Sequence, residues 1–261
     1  MAAVFAAAPA AQTPSNPAPA QGASEEQAPT GEPPASPAQP PAPTQPAYSG
    51  PVIVLNPAHG GTDPGARGEN GLVEKDITLE YAQAVRAALE RDGYHVLMTR
   101  GDDSNPSYDD RDAVANAYRD AIFISLHVAS TGTIGMARAY YYQFWTPFPA
   151  PASAPQTAAT SSPHASFAVW EEAQRPYADR SRLLADLMQA QLAQTFSGSP
   201  ATSAGAKVRE LRSVAAPAIA IEISNVAVKD ASVLQAFEAT LGACIVHTLE
   251  AFHPSNAAES K

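Results

Sequence analysis

The sequence predicts an α/β fold: a single domain with a mostly parallel, about six-stranded mixed sheet flanked by helices on both faces. Three observations predict it. Short apolar runs of strand length, rich in Val and Ile, recur along the chain. Stretches with apolar residues at helical spacing separate them. The connections between the two are rich in Gly, Asp and Pro, and no internal repeat interrupts the alternation.

The folded part begins at Pro51, where PVIVL (51–55) reads as a buried strand. A Gly- and Asp-rich loop, NPAHGGTDPGARGENGLVEK, follows. Asp76 then reads as an N-cap, with Ile77, Tyr81, Ala84, Val85, Ala88 and Leu89 at helical spacing and Gly93 as the stop. HVLMT (95–99) is the next strand. A helix over about 108–119 precedes AIFISL (121–126), a third buried strand. ARAYYYQF (137–144) is the fourth. Residues 145–177 break the rhythm as a long Pro/Ala/Ser-rich insertion loop with Trp145, Phe148, Phe167 and Trp170 at its edges. A helix over about 179–196, a short strand KVREL (207–211), a last strand AIAIEI (218–223) and an amphipathic helix over about 230–252 complete a domain spanning 51–253.

The flanks differ in composition. Residues 1–50 carry about half of the chain's 25 prolines, no Lys or Arg, and almost no large apolar residue after Phe5. Such a stretch cannot bury enough surface to offset its conformational entropy and is expected to be disordered. Its start, MAAVFAAAPAAQ, resembles the end of a secretory signal, with an A-x-A pattern at Ala8-Pro9-Ala10. It lacks the basic n-region and a full apolar core, so an Ala-rich linker fits it equally. A short disordered tail is expected over 254–261. The formal net charge of -10, with no basic run, argues against nucleic acid as a partner. No apolar run reaches the roughly 20 residues of a membrane span. The single cysteine, Cys244, falls in an apolar helical pattern and reads as packing.

The chemistry lies at the strand ends. PVIVL leads into His59, AIFISL runs into His127, and AIAIEI carries Glu222 next to its last residue. In a parallel sheet the carboxyl ends of the strands share one rim, where ligands bind. Neutral imidazole and carboxylate suit zinc, and a catalytic zinc site uses three protein ligands. Two His and a Glu as ligands, with a second Glu as proton shuttle, would complete such a site. Gly60, Gly61 and Gly65 would let backbone pass close to the metal. Taken singly, His59 reads as a solvated loop histidine, and Glu74 as an acid complementing a helix N-terminus. His127 at the end of an apolar strand needs a polar partner. Glu222 inside a buried strand is costly unless paired. His95, His164, His247 and His253 read as surface or packing residues, Arg111 and Asn116 as structural polar contacts, and Trp145 and Trp170 as packing for the loop. Glu171 and Glu172 read as a solvated acidic face.

Four blocks together resemble the zinc-dependent N-acetylmuramoyl-L-alanine amidases of the bacterial cell wall. NPAHGGTDPGARGENGLVEKD is similar to that family's DPGHGG-type loop followed by a Glu, and SLHVAS to its SIHANS block. RDAVAN resembles its ER-x-x-x-AN helix, and PAIAIEISN its PAVLVELGF block. The resemblance covers about 51–251. It implies Zn²⁺ as cofactor, His59, Glu74 and His127 as metal ligands, and Glu222 as catalytic base. It further implies hydrolysis of the amide joining N-acetylmuramic acid to L-Ala of the stem peptide, hence peptidoglycan or muropeptides as substrate. A monomer exported to the cell envelope, periplasmic or extracellular, follows from the same resemblance. Departures fall beside these residues: Asn56 stands where the family has Asp, Ala58 where it has Gly, Ala129 where it has Asn, and Ser224-Asn225 replace the Gly-Phe after the base. Asn56 is expected to accept a hydrogen bond from a ligating imidazole without the charge an Asp would bring. Two alternatives stand beside the amidase: a non-catalytic peptidoglycan-binding relative, and a zinc peptidase cutting within the stem peptide.

Overall fold

The protein is described here by a computed structural model covering residues 50–69, 71–144 and 172–252. The expectations for residues 1–49, the tail 254–261, Trp145, Phe148, His164, Phe167, Trp170, Glu171 and His253 lie outside those residues, as does most of the long insertion loop.

Six strands form one sheet in the order β2-β1-β3-β6-β4-β5. They are β1 (Val52–Pro57), β2 (His95–Met98), β3 (Ala121–Ala129), β4 (Ala137–Tyr142), β5 (Ala204–Ala206) and β6 (Ala218–Ser224). β2, β1, β3 and β6 run parallel, β4 is antiparallel to β6, and β5 is parallel to β4. The sheet is therefore mixed and mostly parallel, as the alternation of runs predicts. From β1 the chain crosses through helix α1 (Glu74–Arg91) to β2 on one side, and β3 then lies on the other. The strand order reverses between β1 and β3, and a crevice opens at the carboxyl ends of such a pair.

Alternation along the strands sorts the two faces. Ile53 and Leu55, Ile122, Ile124, Leu126 and Val128, and Ile219, Ile221 and Ile223 all join the larger core. Against them pack α1, α3 (Ala178–Thr195) and α5 (Glu238–Phe252) through Val85, Leu89, Leu184, Met188, Leu241, Ile245 and Leu249. The intervening positions, Val54, Phe123, Ala218 and Ala220, face a smaller core made with Ala115, Leu211 and Val214. Only the short helix α2 (Tyr108–Asn116) and a 3-10 turn, Arg209–Leu211, contribute there among the described elements. This thinner face carries Asn56, Ser125, His127 and Glu222 at strand positions of the same parity, so the polar residues gather where cover is least.

Several boundaries differ from the expectation. α1 begins at Glu74, not Asp76, with extended Val73 before it. The Glu74 amide donates to Ala66 O, which ties the first turn back to the loop. α2 starts after Ser107 in a capping box with Asp110. It stops at Asn116, whose side chain donates to Ser213 O and accepts from Ala215 N. β3 runs on to Ala129 and takes His127 into the strand. The strand expected over 207–211 is a 3-10 turn instead, because Glu210 and Leu211 are both buried and neighbouring strand residues would point to opposite faces. The last helix is split into α4 (Ser232–Gln235) and α5. By length and composition 232–252 is apolar enough to cross a bilayer, unlike the expectation. Here its apolar residues Leu234, Leu241, Ile245 and Leu249 lie buried in the larger core. The described end of the insertion is also packed: Gln174 is buried and donates to Val214 O and Ala216 O.

Asp112 on α2 is 1% exposed, and its Oδ1 has no hydrogen-bond partner among the described residues. Burial, with Asp109 and Glu210 nearby, pushes its carboxyl up to about 7. Because the folded value lies above the ordinary one, the folded chain holds an extra proton between about pH 4 and pH 7. Stability contributed by this group therefore falls as pH rises through that window and levels off above it. Asp112→Asn is expected to leave stability nearly unchanged below about pH 4 and to raise it at pH 8 by ~1–3 kcal/mol, read by denaturant unfolding. An equal effect at both pH values would show that Asp112 ionises freely.

Candidate metal centre

The crevice between β1 and β3 brings three of the sequence-predicted residues together. His59 follows β1, Glu74 opens α1 and His127 lies near the end of β3. One donor atom from each lies within 4.8 Å of the other two. Glu74 is the centre: its Oε2 is 3.1 Å from His59 Nε2 and its Oε1 is 3.0 Å from His127 Nδ1. The imidazoles stand edge to face, with centroids 5.7 Å apart.

Local backbone explains the convergence. His59 adopts a left-handed conformation, φ 62°, at a cost of ~1–3 kcal/mol for a residue with a side chain. Arg111 offsets this by donating to His59 O at 2.7 Å, and Gly60 and Asp63 exchange a pair of backbone hydrogen bonds behind it. Arg100, a buried guanidinium, donates to Pro57 O, Ala58 O and Lys75 O, and so clamps the end of β1 to the start of α1. Glu74 is oriented by the amides of Ala66 and Val128, which donate to its two oxygens. Gly65, φ 64°, is the glycine the site requires: a Cβ there would lie 2.5 Å from Glu74 Oε2 and 2.6 Å from His59 Cδ2. Gly60 and Gly61, expected beside the metal, instead approach the backbone of residues 103–105.

Electrostatics couple the three side chains. Burial pushes the Glu74 carboxyl up, but His127, His59 and the Ala66 amide outweigh it and keep it well below the usual carboxylate range. Burial pulls His127 down, yet Glu210 and Glu74 carry it above the ordinary histidine value. The Glu74 hydrogen bond raises His59 against burial, and Asp63 adds to it. Such a set of closely spaced donors, two imidazole nitrogens and a carboxylate oxygen, fits a divalent cation, and imidazole with carboxylate suits zinc.

Glu222 is placed across from the cluster. It pairs in register with His127 on adjacent parallel strands, so both side chains rise from the same face. Both line a cavity of about 500 Å³ together with Glu74, Ala66, Val128 and Tyr140. Burial raises the Tyr140 hydroxyl, and the negative charge of Glu222 raises it further. Ala220, Ala206 and Val208 give the cavity an apolar wall.

One expected contact is absent. Asn56 touches neither histidine; its Oδ1 accepts from Arg111 at 2.7 Å and Thr99 at 2.6 Å, and its Nδ2 donates to Ser125 Oγ at 2.9 Å. The imidazole partners are two residues the sequence reading passed over. Asp63 Oδ2 lies 2.8 Å from His59 Nδ1, and Glu210 meets His127 Nε2. Asp63 was within reach of sequence reasoning as an acid four residues after His59 in the same loop. Glu210 left a fainter signal, a lone acid between apolar Val208 and Leu211. Arg111 and Asn116 have the structural roles expected of them. Glu172 is exposed and pairs with Arg175.

The chain is similar in sequence and in fold to known amidases. The family model described as N-acetylmuramoyl-L-alanine amidase matches residues 53–248. A sporulation-specific N-acetylmuramoyl-L-alanine amidase of Bacillus subtilis (strain 168) is 44% identical over 92 residues, 34% of this chain and 35% of that protein. The N-acetylmuramoyl-L-alanine amidase AmiC of Neisseria meningitidis serogroup B is 44% identical over 77 residues, 30% of this chain and 18% of that protein. The matched stretches thus span about a third or less of these relatives' own lengths. In fold, the chain is similar to an N-acetylmuramoyl-L-alanine amidase from Clostridium difficile 630, with a TM-score of 0.59, 20% identity, and 80% of this chain and 99% of that one covered. With a family model matched from the second residue of β1 to within α5, the chain belongs to the N-acetylmuramoyl-L-alanine amidase family.

Proposed function

We propose that the protein is a zinc-dependent hydrolase of the amide between N-acetylmuramic acid and the L-Ala of the peptidoglycan stem peptide, acting in the cell envelope. The observation that carries this is the cluster of His59, Glu74 and His127, two of whose members, Glu74 and His127, share one open cavity with Glu222. Zinc held by the three donors would lower the pKa of a water toward neutrality and polarise the amide carbonyl. Glu222 is proposed as the catalytic base: it takes a proton from the attacking water and returns it to the leaving amine of L-Ala. Tyr140 lines the same cavity beside Glu222. The apolar wall of Ala206, Val208 and Ala220 lets the stem peptide displace water from the reacting bond. Family membership supports the sugar–peptide amide over a bond inside the peptide.

Peptidoglycan incubated with the protein, with and without a chelator, tests this by mass spectrometry of the products. Chelator-sensitive release of stem peptides with a free N-terminal Ala is expected. Fragments cut within the stem peptide would replace the amidase with a peptidase. Binding of the wall without any release would leave a non-catalytic binding module.

A further inference from the structure

Glu210 stands outside the three donors and outside the cavity that holds Glu222, yet it touches one of the donors directly. It is set by the 3-10 turn Arg209–Leu211, whose Leu211 is fully buried in the smaller core. Its side chain is 9% exposed, and Oε1 meets both Ser125 Oγ, at 3.1 Å, and His127 Nε2. A chain of hydrogen bonds runs into it from Arg111 through Asn56 and Ser125. Arg111 can only donate, so Asn56 must turn its Oδ1 toward Arg111 and its Nδ2 toward Ser125. Ser125 accepts from Asn56 and donates to Glu210 at 3.1 Å, and its Oγ lies 3.2 Å from His127 Nε2, where it can serve as a second acceptor. An ionised carboxylate only accepts, so the contact between Glu210 and His127 is satisfied when Nε2 brings the proton.

We propose that Glu210 is a positioning residue for the metal centre: it receives the Nε2 proton of His127 and so leaves the Nδ1 lone pair, beside Glu74 and His59, free for the ion. The proposal rests on the metal-site reading of His59, Glu74 and His127. A metal-ligating imidazole is fixed in tautomer and orientation by the acceptor on its other nitrogen, and loss of such an acceptor weakens metal binding. Asp63 has the same relation to His59 through Nδ1, but its side chain is 48% exposed, so water can take its place. The buried acceptor is the one that cannot be replaced.

Zinc affinity, measured on the full chain by competition with a chromophoric chelator, tests this. Glu210→Leu is expected to weaken zinc binding by ~10–100-fold. Glu210→Gln, which can still accept from Nε2 and Ser125, is expected to retain most of the affinity, and Asp63→Asn to change it less than Glu210→Leu does. The melting temperatures of the metal-free variants separate this from a loss of fold. Nitrogen-15 NMR of the zinc-loaded wild type supplies a readout independent of any variant: a proton on Nε2 of His127 is expected. A proton on Nδ1, or a folded Glu210→Leu that binds zinc like the wild type, overturns the role of Glu210 and leaves the metal site standing. Failure of the wild type to bind zinc would instead overturn the metal-site reading itself.

Discussion

Glu222→Gln is expected to lower peptidoglycan hydrolysis by ~10²–10⁴-fold while leaving zinc affinity and melting temperature close to those of the wild type. The expectation follows from where Glu222 stands. It rises from β6 in register with His127, on the face that lines the cavity, but it is not one of the three donors that gather within 4.8 Å. The substitution keeps the shape of the side chain. Cavity volume and strand packing are therefore unchanged. What it removes is the ability to take a proton from water and return it to the leaving amine. Steady-state release of stem peptide, with zinc content measured on the same sample, reads both quantities. Full activity in a zinc-replete Glu222→Gln protein would remove Glu222 from its proposed role.

Glu74→Gln is expected to act on the other side of the same chemistry, losing zinc first and activity with it. Glu74 is a single carboxylate shared between His59 and His127, and its oxygens also accept from the amides of Ala66 and Val128. Gln can offer only one carbonyl oxygen, so at least one of these bonds is lost along with the charge. As one of three donors, its loss should exceed the ~10–100-fold typical of losing a supporting partner. A buried amide left without an acceptor adds ~1–3 kcal/mol of destabilisation. Competition with a chromophoric chelator reads the affinity, and chemical denaturation reads the stability. Zinc binding as tight as in the wild type would mean that the ion sits elsewhere.

Much of the fold was legible because strand and helix periods are strong local signals. PVIVL, AIFISL and AIAIEI are short β-branched runs, and all three are central parallel strands. Their alternation also separates the residues of the large core, such as Ile219 and Ile221, from Glu222 on the open face. Where the sequence misled, a long-range contact had decided the local structure. Residues 207–211 read as a short strand, but Glu210 is drawn to Ser125 and His127, distant in sequence, and Leu211 into the core behind it. Likewise Glu74 opens α1 without a side-chain cap because Ala66 O takes its amide. The three donors were legible as a set only through the order of the blocks. Their supporting partners were not, since Asn56 bonds to Arg111, Thr99 and Ser125 rather than to an imidazole. No periodicity records which acid closes on which histidine across 83 residues, the separation of His127 and Glu210.

The most direct measurement of the metal centre is anomalous diffraction at the zinc edge from crystals of the protein prepared with zinc. A single strong peak is expected in the crevice between β1 and β3, in contact with His59 Nε2, a Glu74 oxygen and His127 Nδ1. A peak at other residues, such as the acidic loop at Asp102 and Asp103, with none between the two histidines, would contradict it.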